Sequence, residues 1–393
     1  MSNDDSHIPT VTIQLKGKQF PEIFDFKNKR FDITALNSSE FEKAVAAAVK
    51  GADIVALPTA LLNPYILKEL GIDADSSEIN KAIGSAFSKL LGNVEIAGTL
   101  GLTKTPVDPF GETSFTELIS CYDEQVNALK DYVDLFIIDS IKSMTDLRAA
   151  LLSCKKTKMP VTVTIAAELF ENTENFSVSA LGALATAQEM GADSFGISIA
   201  CFSENENEDE KEEALEIMHE LLRYAKIPIV MNFTRTDFPY PRELMESGVE
   251  SFIFTSDQLS YFPEKRNTKA EKPPVTDDFF IFTHYGSVFF LEADTTEISE
   301  PIECQPDMEE IICNVCETSC DILRVEINTS DDAIDFARNA HMSTLPVMFL
   351  SENVIALKMA LLLYQGIALI DSSTLIPKEE LEEICKKYGA VVY

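Results

Sequence analysis

Basic side chains are scarce in this chain: 32 Lys and Arg stand against 65 Asp and Glu, a formal net charge of −33. A field of that sign repels phosphate backbones and anionic membrane surfaces. Nucleic acid and membranes are therefore not expected as partners, whereas a small zwitterion in a shielded cleft or a basic protein is compatible with it. Gly and Pro number only 15 and 17 in 393 residues, which excludes a repetitive or disordered chain. The longest apolar stretch, 356–370, is broken by Lys358 and Gln365 and is too short for a bilayer span. The first residues, Met1 to His7, lack a basic segment followed by an apolar one, so no signal peptide is expected. Eight cysteines without a compact framework read as reduced cytoplasmic thiols. The four histidines show no ligand spacing and receive no role.

What is present is alternation. Short β-branched runs suited to strands recur at Phe31–Ala35, Asp53–Leu57, Glu95–Thr99, Leu135–Asp139, Val161–Ala166, Ser194–Ala200, Ile227–Asn232 and Ser251–Phe254. Helical periods separate them, as in Ser39–Lys50, where Phe41, Val45 and Val49 share a face. Several helices end in a Gly or polar residue, then Ala/Val-Asp, then a strand: Lys50-Gly-Ala-Asp53, Asp131-Tyr-Val-Asp134 and Met190-Gly-Ala-Asp193. Eight such units predict a (β/α)8 TIM-type barrel over 31–256, with an open doubly wound sheet as the alternative. An N-terminal extension (1–30) precedes it. A Pro- and Lys-containing linker (257–278) and a smaller α/β domain (279–393) follow.

An ordered set of motifs resembles the homocysteine S-methyltransferase module of cobalamin-dependent methionine synthase. It runs from Ala52-Asp-Ile-Val-Ala-Leu-Pro-Thr-Ala-Leu-Leu-Asn63 through Ala97-Gly-Thr-Leu-Gly-Leu-Thr103 and Ser114-Phe-Thr-Glu-Leu118 to Tyr122-Asp-Glu-Gln125. Phe136-Ile-Ile-Asp-Ser140, Gly191-Ala-Asp-Ser-Phe-Gly-Ile197 and Ile227-Pro-Ile-Val-Met-Asn232 complete it. Cys320-Asp-Ile-Leu-Arg-Val325 and Tyr364-Gln-Gly-Ile-Ala-Leu-Ile-Asp371 weakly resemble the adjoining folate-binding domain. The resemblance implies methyl transfer and three cysteine thiolates on Zn²⁺, which would hold a substrate sulfur as thiolate. In register those positions carry Ile199, Thr255 and Ser256. The resemblance thus implies a missing zinc site, and zinc only if the cysteine register is different.

The barrel mouth nominates Thr59, Asn63, Thr99, Asp139, Ser140, Glu168, Cys201, Asn232, Thr255 and Ser256. Of these, Asp139, Asn232, Thr59, Asn63, Cys201, Thr255 and Ser256 are the substrate-binding candidates. By the resemblance Asp139 meets a substrate ammonium; the alternative is a cap on the helix starting at Ser143. Asn232 either contacts a substrate carboxylate or satisfies loop backbone. Cys313, Cys316 and Cys320 form C-x2-C-x3-C, read as core packing rather than metal binding. The acidic run Ser203–Glu213 reads as a solvated loop and helix start, or as a docking site for a basic partner. Two functional classes stay open. One is a methyltransferase acting on an amino acid or one-carbon carrier. The other is a non-catalytic relative that binds a metabolite, or a corrinoid or methyltransferase protein. An aldolase-type barrel ranks last, because no predicted strand end carries a lysine.

Overall fold

The computed structural model describes residues 10–167, 179–199, 208–233, 244, 246–256, 275, 280–292 and 295–393. Eight parallel strands close into a barrel: β1 (Thr10–Gln14), β2 (Ile54–Ala56), β3 (Glu95–Leu100), β4 (Leu135–Ile141), β5 (Val161–Ala167), β6 (Ser194–Ile199), β7 (Ile229–Phe233) and β8 (Ser251–Phe254). Closure excludes the open-sheet alternative. The helices between strands include α1 (Ser39–Ala48), α2 (Pro64–Leu70), α3 (Ser76–Leu91), α4 (Phe115–Leu129), α5 (Met144–Cys154), α6 (Ala180–Glu189) and α7 (Glu208–Tyr224).

The first strand is a correction. Phe31–Ala35 is not in the barrel: Arg30–Phe31 pairs antiparallel with Phe24–Asp25, and Ile33–Asn37 is a 3-10 helix. The Asp32 side chain accepts the Thr34 N–H and so starts a helical turn where strand was expected. Thr10–Gln14, inside the expected extension, instead pairs with both β8 and β2 and closes the barrel. The helix α3 also escaped the sequence reading, although Ile79, Ile83, Phe87 and Leu91 bury one face at helical spacing.

The recurring Ala/Val-Asp signature has a physical role. Asp53, Asp134 and Asp193 each turn a carboxylate oxygen to the N–H of a neighbouring strand: Val11 (2.9 Å), Ile96 (2.9 Å) and Val161 (2.8 Å). The carboxylate thereby satisfies a donor at a strand start, which a parallel ladder leaves without a sheet partner. Inside the barrel, Ala56, Ala97, Leu135, Ile137, Val230 and Ile253 form a small apolar cluster apart from the core beneath the helices. Gly196 belongs to this crowded interior, since a Cβ there would lie 1.9 Å from the Val230 carbonyl oxygen.

The C-terminal region carries a five-stranded parallel sheet, in the order β11 (Ile302–Glu303), β12 (Leu323–Glu326), β13 (Val347–Leu350), β15 (Leu369–Ile370) and β16 (Val391–Val392). Helices α8 (Glu309–Cys316), α9 (Ser330–Asn339), α10 (Val354–Leu363) and α11 (Lys378–Tyr388) intervene. The hairpin β9 (Phe280–His284) and β10 (Ser287–Leu291) pairs with β14 (Gly366–Ile367). Phe282, Leu291, Met348 and Leu369 pack there with Ala185 of α6, joining this region to the barrel. A fully buried Arg148 on α5 reinforces the junction. It donates to the carbonyls of Leu361 (2.8 Å), Gly366 (2.8 Å) and Tyr388 (2.9 Å). Among the described residues no helix is long and apolar enough to cross a membrane.

Candidate functional site

The C-terminal ends of the strands converge on Asp139. Near the end of β4 the register against β5 shifts between Ile138 and Ile141, and Ser140 takes a left-handed φ of 55°. Such a bulge re-aims side chains. Here it brings consecutive residues to one network, because Ser140 Oγ donates to Asp139 Oδ1 (2.9 Å) and lies against Ser198 Oγ (2.9 Å). Asp139 Oδ1 also accepts from Asn232 Nδ2 (2.8 Å) and Thr164 Oγ1 (3.2 Å), and Oδ2 accepts from Gln14 Nε2 (2.7 Å). Four neutral donors from β1, β4, β5 and β7 thus surround one carboxylate that is 7% exposed. A carboxylate has about four acceptor positions. Oδ2, with one donor among these contacts, has room for another.

Asn232 is fully buried. Its nitrogen serves Asp139 and Ser198 Oγ (3.0 Å), while its oxygen has no hydrogen-bond partner among the described residues. Both donors are occupied, which leaves the oxygen as its open acceptor.

Sequence reasoning missed the side of the network that β1 supplies. Lys16 Nζ donates to Gln14 Oε1 (2.6 Å), extending the chain of contacts from Asp139 to a half-buried amine. Burial lowers the Lys16 pKa, and the charge of Asp139 opposes that shift. Lys16 lies two residues beyond β1, a strand absent from the predicted set whose ends carried no lysine. The alternating run Val11-Thr-Ile-Gln-Leu15 was the signal available.

The other candidates lie elsewhere. Thr59 Oγ1 donates to the Thr99 carbonyl (2.7 Å) and accepts the Thr99 N–H (3.0 Å). Asn63 caps α2 through the Ile66 N–H and reaches the Leu102 carbonyl. Both tie loops together and neither touches Asp139. Thr255 is buried just past β8, and Ser256 Oγ accepts from Gln19 Nε2 (2.9 Å). Cys201 and Glu168 lie outside the described residues, as does the start of the acidic run. Asp139 does not cap α5; Ser143 does, through the Asp146 N–H.

The hydroxyls of Thr255 and Ser256 stand where the resemblance places two thiolates. A neutral hydroxyl is a poor zinc ligand beside cysteine sulfur, so these residues do not fit a zinc–thiolate cage. Among the described residues no group of three or more His, Cys, Asp or Glu could hold a metal ion. Cys313 is exposed rather than part of the core, because its side of α8 faces solvent. Cys121 and Cys154 are buried, and burial pushes both thiols up, Cys121 to about 12.

The family model described as homocysteine S-methyltransferase matches residues 43–247, just over half of the chain. The matched span ends before β8. Solved structures with similarity include type I 3-dehydroquinate dehydratase from Clostridium difficile, at 14% identity and a TM-score of 0.40, covering 63% of this chain and 84% of that one. Another is 2,3-dimethylmalate lyase, at 14% identity and a TM-score of 0.36, covering 66% of this chain and 76% of that one. Likeness at this level says nothing of chemistry. No curated protein matches the chain.

Proposed function

Because the chain belongs to the homocysteine S-methyltransferase family, we propose that its barrel mouth holds a small amino acid or one-carbon carrier as a methyl-transfer ligand, without the zinc–thiolate cage. The observation carrying this reading is the Asp139–Asn232 contact (2.8 Å) at the centre of the polar network. Asp139 supplies the negative charge for a ligand ammonium, and the unpartnered Asn232 oxygen accepts one of its N–H groups. Lys16, held by Gln14, supplies the positive charge for a ligand carboxylate. These charges orient a zwitterion inside a chain whose overall field is negative.

Thr255 and Ser256 favour a second reading, in which the ligand is bound and not turned over. The barrel then serves as a regulatory partner of a corrinoid or methyltransferase protein.

Metal analysis and calorimetry with homocysteine and methionine test the proposal. The expected result is substoichiometric zinc and saturable binding of one amino acid, weakened roughly tenfold or more by Asp139→Asn. One equivalent of tightly held zinc would overturn the zinc-free mouth. Absence of binding by either amino acid would overturn the ligand assignment. Methyl transfer to the bound amino acid from a supplied methyl-corrinoid separates the first reading from the second.

A further inference from the structure

A cavity of about 500 Å³ lies between the barrel and the C-terminal sheets, and its lining shares no residue with the Asp139 network. On the barrel side it is bounded by the loop after β3 and the first turns of α4 and α5. On the other side stand Tyr285, α9, α10 and Gln365. Pockets that take small molecules favour such junctions, with apolar walls and a few convergent polar groups.

Three features define the chemistry. Phe110 and Tyr285 place their rings edge-to-face, 6.3 Å apart, opposite Met359 and Leu363, which suits an aromatic body. Arg338 pairs with Asp108 through Nε, at 3.5 Å, with both side chains at least half exposed. Among the described residues its terminal nitrogens make no hydrogen bond, so they remain open to a bidentate anion. Gln365 is 6% exposed; its nitrogen is held by the Leu363 carbonyl (2.8 Å), and its oxygen has no partner among the described residues. That buried oxygen requires a donor.

The first turns of α4 and α5 add to this polarity. Ser114 and Ser143 cap the N–H groups of Glu117 and Asp146, which leaves the earlier N–H groups of each turn without an intrahelical acceptor. The carboxylates of Glu117 and Asp146 are taken up locally, by Ser114 and by Thr103, Tyr122 and Ser143.

We propose that this cleft binds a small aromatic organic acid, with its anionic group on Arg338, its ring system against Phe110 and Tyr285, and an N–H or O–H donated to Gln365. The site is independent of the barrel mouth and gives the C-terminal domain a ligand of its own.

The test uses 8-anilinonaphthalene-1-sulfonate on the full chain, because the probe combines an aromatic body, an N–H and a fixed anion. Its neutral counterpart N-phenyl-1-naphthylamine lacks only the anion. Fluorescence titration should show one saturable sulfonate site, weakened roughly tenfold by Arg338→Gln, with the neutral probe unaffected. Ala337→Trp, filling the cleft, should abolish both, and Asp108→Asn should tighten the sulfonate by removing a competing carboxylate. Sulfonate binding unchanged in Arg338→Gln would overturn the proposal, and that surface variant is expected to fold normally. Loss of binding in the double variant Lys386→Glu/Lys387→Glu, with Arg338→Gln silent, would assign the anion to the lysine-edged groove beside α11 and equally overturn it.

Discussion

Among the described residues, two buried charges are held away from water by opposite means. At the barrel mouth a carboxylate, Asp139, is surrounded by side-chain donors from four strands. At the junction a guanidinium, Arg148, is surrounded by main-chain carbonyls of Leu361, Gly366 and Tyr388. Burial lowers its pKa to about 10, so it stays charged at neutral pH. Two of those carbonyls close α10 and α11, where the helix dipole favours a cation. Carbonyls fixed by helices cannot turn away, whereas hydroxyls and carboxamides can rotate toward an incoming ligand. The carbonyl cage around Arg148 therefore ties the C-terminal region to the barrel, whereas the donors around Asp139 are free to re-aim.

Removing each charge separates the two roles. Arg148→Leu leaves three buried carbonyls without a donor, each costing about 1–3 kcal/mol. The expected loss is at least about 3 kcal/mol, read by urea denaturation, with the mouth network intact in the folded fraction. Asp139→Asn should cost less than half as much, because its former donors can pair among themselves, while ligand binding falls. Equal losses would mean that the mouth is as rigidly structural as the junction.

A titration sharpens the same contrast. His284, on the junction side, bonds Tyr364 Oη (2.9 Å) and the Ala340 carbonyl (3.0 Å), and burial lowers its pKa from 6.5 to about 4. The folded protein thus binds fewer protons than the unfolded chain between these values, and stability rises with pH across that window. The contribution is complete above pH 6.5 and is lost as pH falls toward 4, about 3 kcal/mol in all. Denaturation of wild type and His284→Gln across this range should show the steeper slope in the wild type. Parallel slopes would show that this histidine titrates as it does in the unfolded chain.

Strands β2 to β8 were legible because each is a β-branched run, often punctuated by an Asp that serves the neighbouring strand. The first was not: Phe31–Ala35 reads as that strand, and what makes Thr10–Gln14 the closing strand is its pairing with β8 and β2, far away in sequence. Lys16 and Gln14 went unseen with it. Asp139 and Asn232 stood out as polar residues at strand ends, but the placement of Ser140 depends on a register shift that no local pattern marks. Arg148 was equally silent. Its partners are carbonyls, which every residue possesses, so nothing in their identity announces the contact.

Ser140 offers the smallest and most specific test of the mouth. Its left-handed backbone costs a non-glycine residue about 1–2 kcal/mol, and its hydroxyl joins Asp139 to Ser198. Ser140→Ala removes the hydroxyl and keeps the backbone cost. Ser140→Gly removes both, offset in part by glycine's greater freedom in the unfolded chain. The glycine variant should therefore be more stable than the alanine variant by about 0.5–1 kcal/mol, while both weaken ligand binding equally. If both variants bind as the wild type does, the three remaining donors suffice to aim Asp139, and the bulge is a feature of barrel closure alone. If the glycine variant recovers binding that the alanine variant loses, backbone shape rather than the hydroxyl sets the carboxylate's position.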